Sequence, residues 1–448
     1  MQLTPGTAED QNQNPLVYLH AELLPHIRHI TLYVSVPAAE NDAAQSQDTS
    51  RTPVRETTGD VQLTLSESRR AVSVSPATET MKLPARVTEG ARYVLRAPQW
   101  QHTPEGRRES SFRMQVDADN GKGLLAGSGE REEREEPVGG CVPWRAPDMR
   151  PGTRVRCRAC ERVVLDPQQP SRSGGWVWKD LPSGNWAEMM DFWHCHKPDP
   201  EVGHDGLDHG DGEGEGRPDD PNATVKGYGA ANQVVATVGT ILVDVATFLV
   251  AAEDCLGVKK VRISVSLVVD PDSDDIHCCN CNTLLGHVDP TAQGWRLFKT
   301  ALSATTNTGT EQSEWETHPI EVIIAAQLLE LVERESARRF VVHCGHSSGS
   351  LIWVFNPDMR YSNSSAHHSI AAQRAMKVFF QRLPNVEQTL HPEVGKPSST
   401  LALEEVQLPE ETYRAFEEVL HARNAMLPVS ARVFREWRVG ILHRLHRR

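Results

Sequence analysis

The stretches Cys157-Arg-Ala-Cys160-Glu-Arg-Val-Val-Leu165 and Cys278-Cys-Asn-Cys281-Asn-Thr-Leu-Leu285 share one plan. Each has two cysteines three apart, then two apolar residues three and four positions beyond the second. That is the outline of a zinc knuckle, a tight turn presenting two thiolates and leading into a strand. One knuckle supplies half a tetrahedron, so Cys157, Cys160, Cys278 and Cys281 together make a closed four-sulfur structural zinc site. The 117 residues between Cys160 and Cys278 are too many for an independent finger. They suit a staple that joins two halves of one domain across an insert. The same residues also fit two unrelated turns with reduced cysteines, or a redox dithiol, although no thioredoxin-like βαβ pattern surrounds either pair. Cys195-His196, thirty-five residues after Cys160, is a further candidate to complete a site with the first pair.

Around the knuckles the chain is long and acidic. Its 448 residues carry 47 Lys+Arg against 60 Asp+Glu, a net charge of −13. That balance argues against a free-standing nucleic-acid binder, whose affinity rests on cations that neutralise phosphates. The length suggests two domains plus linkers. Hydrophobic residues at 38% and aromatics at 6% suffice for sizeable cores if the polar excess is concentrated in inserts. The N-terminus has no signal-peptide pattern. The longest apolar run, Val234 to Ala252, is rich in Val, Thr and Gly and carries Asp244 near its centre, so it reads as a pair of buried strands and not a membrane helix. Nine cysteines, an odd number that includes two Cys-x-x-Cys pairs, point to metal or redox chemistry in a cytoplasmic or nuclear protein.

Residues 1–120 read as an antiparallel β domain. Leu16, Val17 and Tyr18 open it, Ile30, Leu32 and Val34 alternate, and further short strands fall at 61–65, 72–74, 93–95 and 112–116. Residues 121–141 form a charged, disordered linker. Residues 142–198 hold the first knuckle and a Trp-rich segment. Residues 199–223 are a Gly/Asp-rich insert whose spacing lacks the bidentate Glu of a calcium loop. Residues 224–448 form a mixed domain, with strands at 240–250, 261–269, 340–343 and 351–355. Its helices are expected at 320–335, 369–383 and 409–425, the last with Pro409 before Glu410 and Glu411. The class expected is α+β: an N-terminal antiparallel β domain followed by a zinc-stapled α+β domain.

Among the remaining thiols, His343-Cys344-Gly-His346 places Cys344 between two imidazoles, an arrangement able to lower its pKa and make a nucleophile. Cys255 and Cys141 lack a neighbouring base and read as ordinary thiols. In Leu181-Pro-Ser-Gly-Asn185-Trp186-Ala-Glu-Met-Met-Asp-Phe-Trp193-His-Cys195-His196, Trp186, Met189, Met190 and Trp193 fall at helical spacing. That stripe reads as core packing that fixes where the Cys-His pair points.

This segment resembles the HECT-like family of ubiquitin-conjugating-enzyme-binding proteins. So do the two Cys-x-x-Cys motifs, Leu351-Ile-Trp-Val-Phe-Asn356, and Leu427-Pro-x-Ser-Ala-Arg-x-Phe434-x-x-Trp437-x-Val-Gly440-x-Leu442. The matches run in order from about residue 150 to 445. The resemblance implies a ubiquitin-protein ligase that engages a ubiquitin-conjugating enzyme and its ubiquitin, with the second knuckle, including Leu284, Leu285 and Gly286, in that contact. It also implies a role in pre-mRNA 3′-end cleavage and polyadenylation. There Cys195, supported by Asn185, Trp186, Trp193 and His196, would block the metal site of the cleavage endonuclease, a thiolate being a good zinc ligand. A HECT mechanism passes ubiquitin through a thioester near the C-terminus, yet the last 104 residues contain no cysteine. Cys344, Cys195, or direct transfer from the conjugating enzyme with this chain as adaptor are the options that remain, and the adaptor is the one expected.

Overall fold

The computed structural model describes residues 17–38, 61–117, 142–168, 174–181, 234–262, 274–306, 314–345, 348–364, 372–391 and 403–445. These residues are mostly β-sheet with few helices, so the expected α+β balance shifts strongly towards β. The chain divides into one compact unit of residues 1–136 with 338–448, and a second of residues 137–337.

Unit 1 is built on a ten-stranded sheet. Its starting point is the strand His29–Pro37, where Ile30, Leu32 and Val34 turn one way and are buried. It pairs antiparallel with Tyr18–Leu24 on one side and Arg107–Gln115 on the other. Leu19, Ala21 and Leu23 continue the apolar face, which packs on Val72, Val74 and Met81 of the three-stranded sheet 62–65, 71–75 and 79–82. The other edge of Tyr18–Leu24 pairs with the far end of the strand Gly349–Asn363. That strand continues the sheet through Gln373–Leu383 and Trp437–His443. Residues 1–120 are therefore not a self-contained domain. Their sheet is continued by strands from the last hundred or so residues, which fall in the same compact unit.

Two elements depart from the sequence reading. Residues 93–95, expected as a strand, belong to the short helix Ala91–Leu95. Residues 369–383, expected as a helix, contain the strand Gln373–Leu383. Its Ala375, Met376, Val378, Phe379 and Phe380 are buried on both faces, which erases the alternation that marks a strand. Ala and Met then read as helix formers until pairing overrides them. The helix Glu410–Ala425 forms as expected behind Pro409, with Phe416 and Leu420 buried.

Unit 2 holds a seven-stranded sheet in the order 177–180, 240–243, 247–250, 294–298, 284–289, 274–278, 258–262, and a four-stranded sheet in the order 314–316, 302–306, 155–157, 163–165. The apolar run 234–252 supplies the antiparallel strands Thr240–Val243 and Thr247–Val250, as expected, with Asp244 in the turn accepting from Thr247 at 3.2 Å. The helix Ile320–Glu335 also forms. Lys299, only 1% exposed, donates from Nζ to Pro143 O at 2.8 Å and lies 5.2 Å from the Phe248 ring centre. No helix among the described residues is long and apolar enough to cross a membrane.

Candidate metal centre

The two knuckles are one local structure repeated. In the first, Glu161 N donates to Cys157 O at 3.0 Å and Cys157 N to Arg162 O at 2.8 Å; in the second, Asn282 N donates to Cys278 O at 3.0 Å and Cys278 N to Thr283 O at 2.9 Å. The residue after the second cysteine takes the left-handed conformation in both, Glu161 at φ 63 and Asn282 at φ 62. That reversal closes the turn so that both sulfurs face inward. The flanking strands pair identically too, Arg156 with Val163 and Val155 with Leu165, against His277 with Leu284 and Ile276 with Gly286. Each pair carries a register shift at the same place, a bulge that aims the cysteines.

This geometry brings all four sulfurs together. Cys157 Sγ lies 3.6 Å from Cys281 Sγ and Cys160 Sγ 3.5 Å from Cys278 Sγ, with all four within 4.8 Å of one another. Sulfurs held at about 2.3 Å from a tetrahedral ion stand about 3.8 Å apart, so the quartet fits such an ion. Cys157 and Cys278 are buried and Cys281 is exposed. Backbone N–H groups of Ala159 and Cys160 point at the Cys157 sulfur, and those of Asn280 and Cys281 at Cys278. These are matched anion cradles at the first cysteine of each turn. The environment separates the thiols. Burial pushes Cys157 up to about 12 and also raises Cys278, whereas the Asn280 side chain holds Cys160 down at about 6. Thr283 Oγ1 lies 3.1 Å from Cys281 Sγ. A set of four sulfur donors at these distances is compatible with a closed structural metal site.

Against known proteins, the model of the HECT-like ubiquitin-conjugating enzyme (E2)-binding family matches residues 22–439. The chain belongs to that family. An uncharacterized protein of Saccharomyces cerevisiae is 24% identical over 287 residues, covering 64% of this chain and 67% of its own length. An uncharacterized protein of Schizosaccharomyces pombe is 26% identical over 319 residues, covering 68% of this chain and 78% of its own. No solved structure matches. The family match reaches from the N-terminal strands through both knuckles to the last strand, well beyond the segment from residue 150 that carries the resemblance in sequence.

The other residues singled out in the sequence fare differently. Asn185, Trp186, Trp193, Cys195 and His196 lie outside the described residues, as do Cys141 and His346. Leu285 is fully buried. A Cβ on Gly286 would sit 2.1 Å from Arg296 O, so this position must be glycine for two strands to close. Leu284 is only half-buried. Leu285 and Gly286 thus serve packing behind the knuckle, while the knuckle tip at Cys279 and Cys281 is exposed.

Cys344 is half-buried. Burial first, then the nearby carboxylates of Glu410 and Glu417, push its thiol above the ordinary range. The His343 ring is held by other groups, with Nε2 2.8 Å from Glu405 and Nδ1 3.0 Å from Gly345 O and 3.1 Å from Gly345 N. The sequence placed Cys344 beside imidazoles; the fold gives it acidic neighbours from the helix Glu410–Ala425, far away in the chain. Cys255 is pushed up to about 12 by burial, in keeping with an ordinary thiol. Sequence reasoning missed Asn280 as a support of the metal set. Its place inside the second Cys-x-x-Cys turn, where a side-chain amide reaches back to a thiolate, was the available signal.

Proposed function

We propose that this chain binds a ubiquitin-conjugating enzyme and promotes ubiquitin transfer directly from it to substrate, without a thioester of its own, and that its four knuckle cysteines hold one structural zinc. The observation that carries the reading is the family match over residues 22–439. The raised thiol pKa of Cys344, from burial and then the Glu410 and Glu417 carboxylates, favours the adaptor form, since a thioester acceptor has to reach its thiolate. Zinc is the ion chosen because four thiolates without an oxygen donor suit it best.

The test is single-turnover discharge of ubiquitin-charged conjugating enzymes by the purified full chain, beside a Cys344→Ser variant. Discharge by both at equal rates is expected. A ubiquitin adduct on Cys344 that thiol reductant cleaves, or loss of discharge in the variant, would overturn the adaptor mechanism; no discharge of any conjugating enzyme would overturn the function.

A further inference from the structure

Two of the sequence segments that carry the family resemblance, Leu351 to Asn356 and Leu427 to Leu442, meet on one face of the unit 1 sheet. Trp353 pairs in register with Phe379, and their ring centres are 5.2 Å apart. Phe355 stands 4.9 Å from Phe379, Phe434 stacks on Phe379 at 5.0 Å, and Trp437 lies 5.9 Å from Trp353. The inner rings are fixed: Phe379 is 3% and Trp437 8% exposed. The outer ones are not covered, with Phe355 at 46%, Phe434 at 43% and Val433 at 57%. Rigid inner aromatics beneath open outer ones make a surface that a partner can bury at little cost in side-chain entropy.

The charge at its rim is selective. The Arg339 guanidinium sits 5.5 Å from the Trp353 ring centre and that of Arg435 5.5 Å from the Phe434 ring centre. Neither makes an ion pair with a described carboxylate, in a chain whose net charge is −13. Aromatic rings with arginine are the residue types that dominate binding energy at protein interfaces. The combination fits an aliphatic side chain flanked by carboxylates. A second copy of this chain is a poor occupant, because a two-fold contact through this patch would set the same arginines against each other.

We propose that this aromatic patch is where the ubiquitin-conjugating enzyme docks, through an aliphatic side chain with acidic neighbours; the inference rests on the function proposed above. It is a contact surface additional to the one that the family resemblance implies at the second knuckle, where Cys279 and Cys281 are exposed.

The test is binding of a panel of purified ubiquitin-conjugating enzymes to the full chain by calorimetry, with Phe355→Ala/Phe434→Ala, Arg435→Glu, and Tyr93→Ala as a distant exposed control. Melting temperature and metal content of each variant verify the fold. The double variant is expected to weaken binding by about 30-fold or more and Arg435→Glu by about 10-fold, with Tyr93→Ala unchanged. Binding retained within about 3-fold by the double variant would overturn the patch and leave the function standing. A wild-type chain that binds no conjugating enzyme overturns both. Self-association of the wild type that the double variant abolishes would assign the patch to a second copy and overturn this occupant.

Discussion

Glu22 and Lys377 form a buried ion pair that ties the N-terminal strands of unit 1 to its C-terminal ones. Lys377 Nζ donates to both Glu22 oxygens, at 2.7 and 3.0 Å, and His20 Nε2 lies 3.2 Å from Oε1. The two side chains are 4% and 12% exposed. Burial alone would raise the Glu22 pKa, but the Lys377 ammonium and His20 outweigh it and hold the carboxyl at about 2 instead of 4.5. That difference corresponds to about 3 kcal/mol of native-state stabilisation. The raised pKa of Lys377 reports the same contact and adds nothing further. Because the folded-state pKa is depressed, the contribution is complete above about pH 4.5 and is lost as pH falls towards about 2. Replacing Glu22→Gln removes the charge at constant shape and leaves Lys377 buried without its partner. The variant is expected to lose about 3 kcal/mol at pH 7, and the gap from wild type to close as pH falls through that window. Urea unfolding with amide exchange read on Tyr18–Leu24 isolates unit 1 from unit 2. A double Glu22→Gln/Lys377→Met variant should recover part of the loss, since an apolar replacement of a buried pair is less harmful than half of one. A loss under about 1 kcal/mol, or a gap that does not change with pH, would refute this account.

Purified chain should contain one zinc, and Cys157→Ser or Cys281→Ser should abolish it and lower the melting temperature of unit 2, as metal analysis and calorimetry will read. Burial lowers the Lys299 pKa from 10.5 to about 7, so the unfolded chain binds more protons between those values and unit 2 should gain up to about 4 kcal/mol as pH rises from 7 to 10; Lys299→Met should flatten that rise. Gly286→Ala should destabilise unit 2 by more than about 2 kcal/mol, because the clash at 2.1 Å is with backbone that cannot move without breaking the strand pair. Retention of wild-type stability in that variant, by urea titration, would contradict the close approach.

What the sequence made legible was local. The knuckles could be read because everything that shapes them, from Cys157 to Leu165 and from Cys278 to Gly286, lies within nine residues, and a turn with two thiolates has few alternatives. The helix Glu410–Ala425 was legible for the same reason, with Pro409 and two glutamates at its start and Phe416 and Leu420 at helical spacing. Gln373–Leu383 was not, because burial on both faces leaves no period to detect. Nor was the closure of one sheet by Tyr18–Leu24 and Gly349–Asn363. It depends on pairing across more than three hundred residues, and the bond from Lys377 to Glu22 spans 355. The aromatic patch sits between these cases: its residues were recognised in two motifs, but their meeting is a matter of register.

The same division bears on the chemistry. A cysteine that carries a transferred group needs a thiolate, access, and a base or cation to hold it there. The low-pKa thiol of the described residues, Cys160, is paired with three others at contact distance, and a metal bound there would withdraw it from any nucleophilic role. Cys344 and Cys255 have the opposite setting, with burial and carboxylates that keep them protonated. Among the described thiols, four form one closed set and Cys344 and Cys255 sit where burial and carboxylates keep them protonated, which supports the adaptor mechanism proposed above, with acyl transfer left to the thioester that a conjugating enzyme would bring.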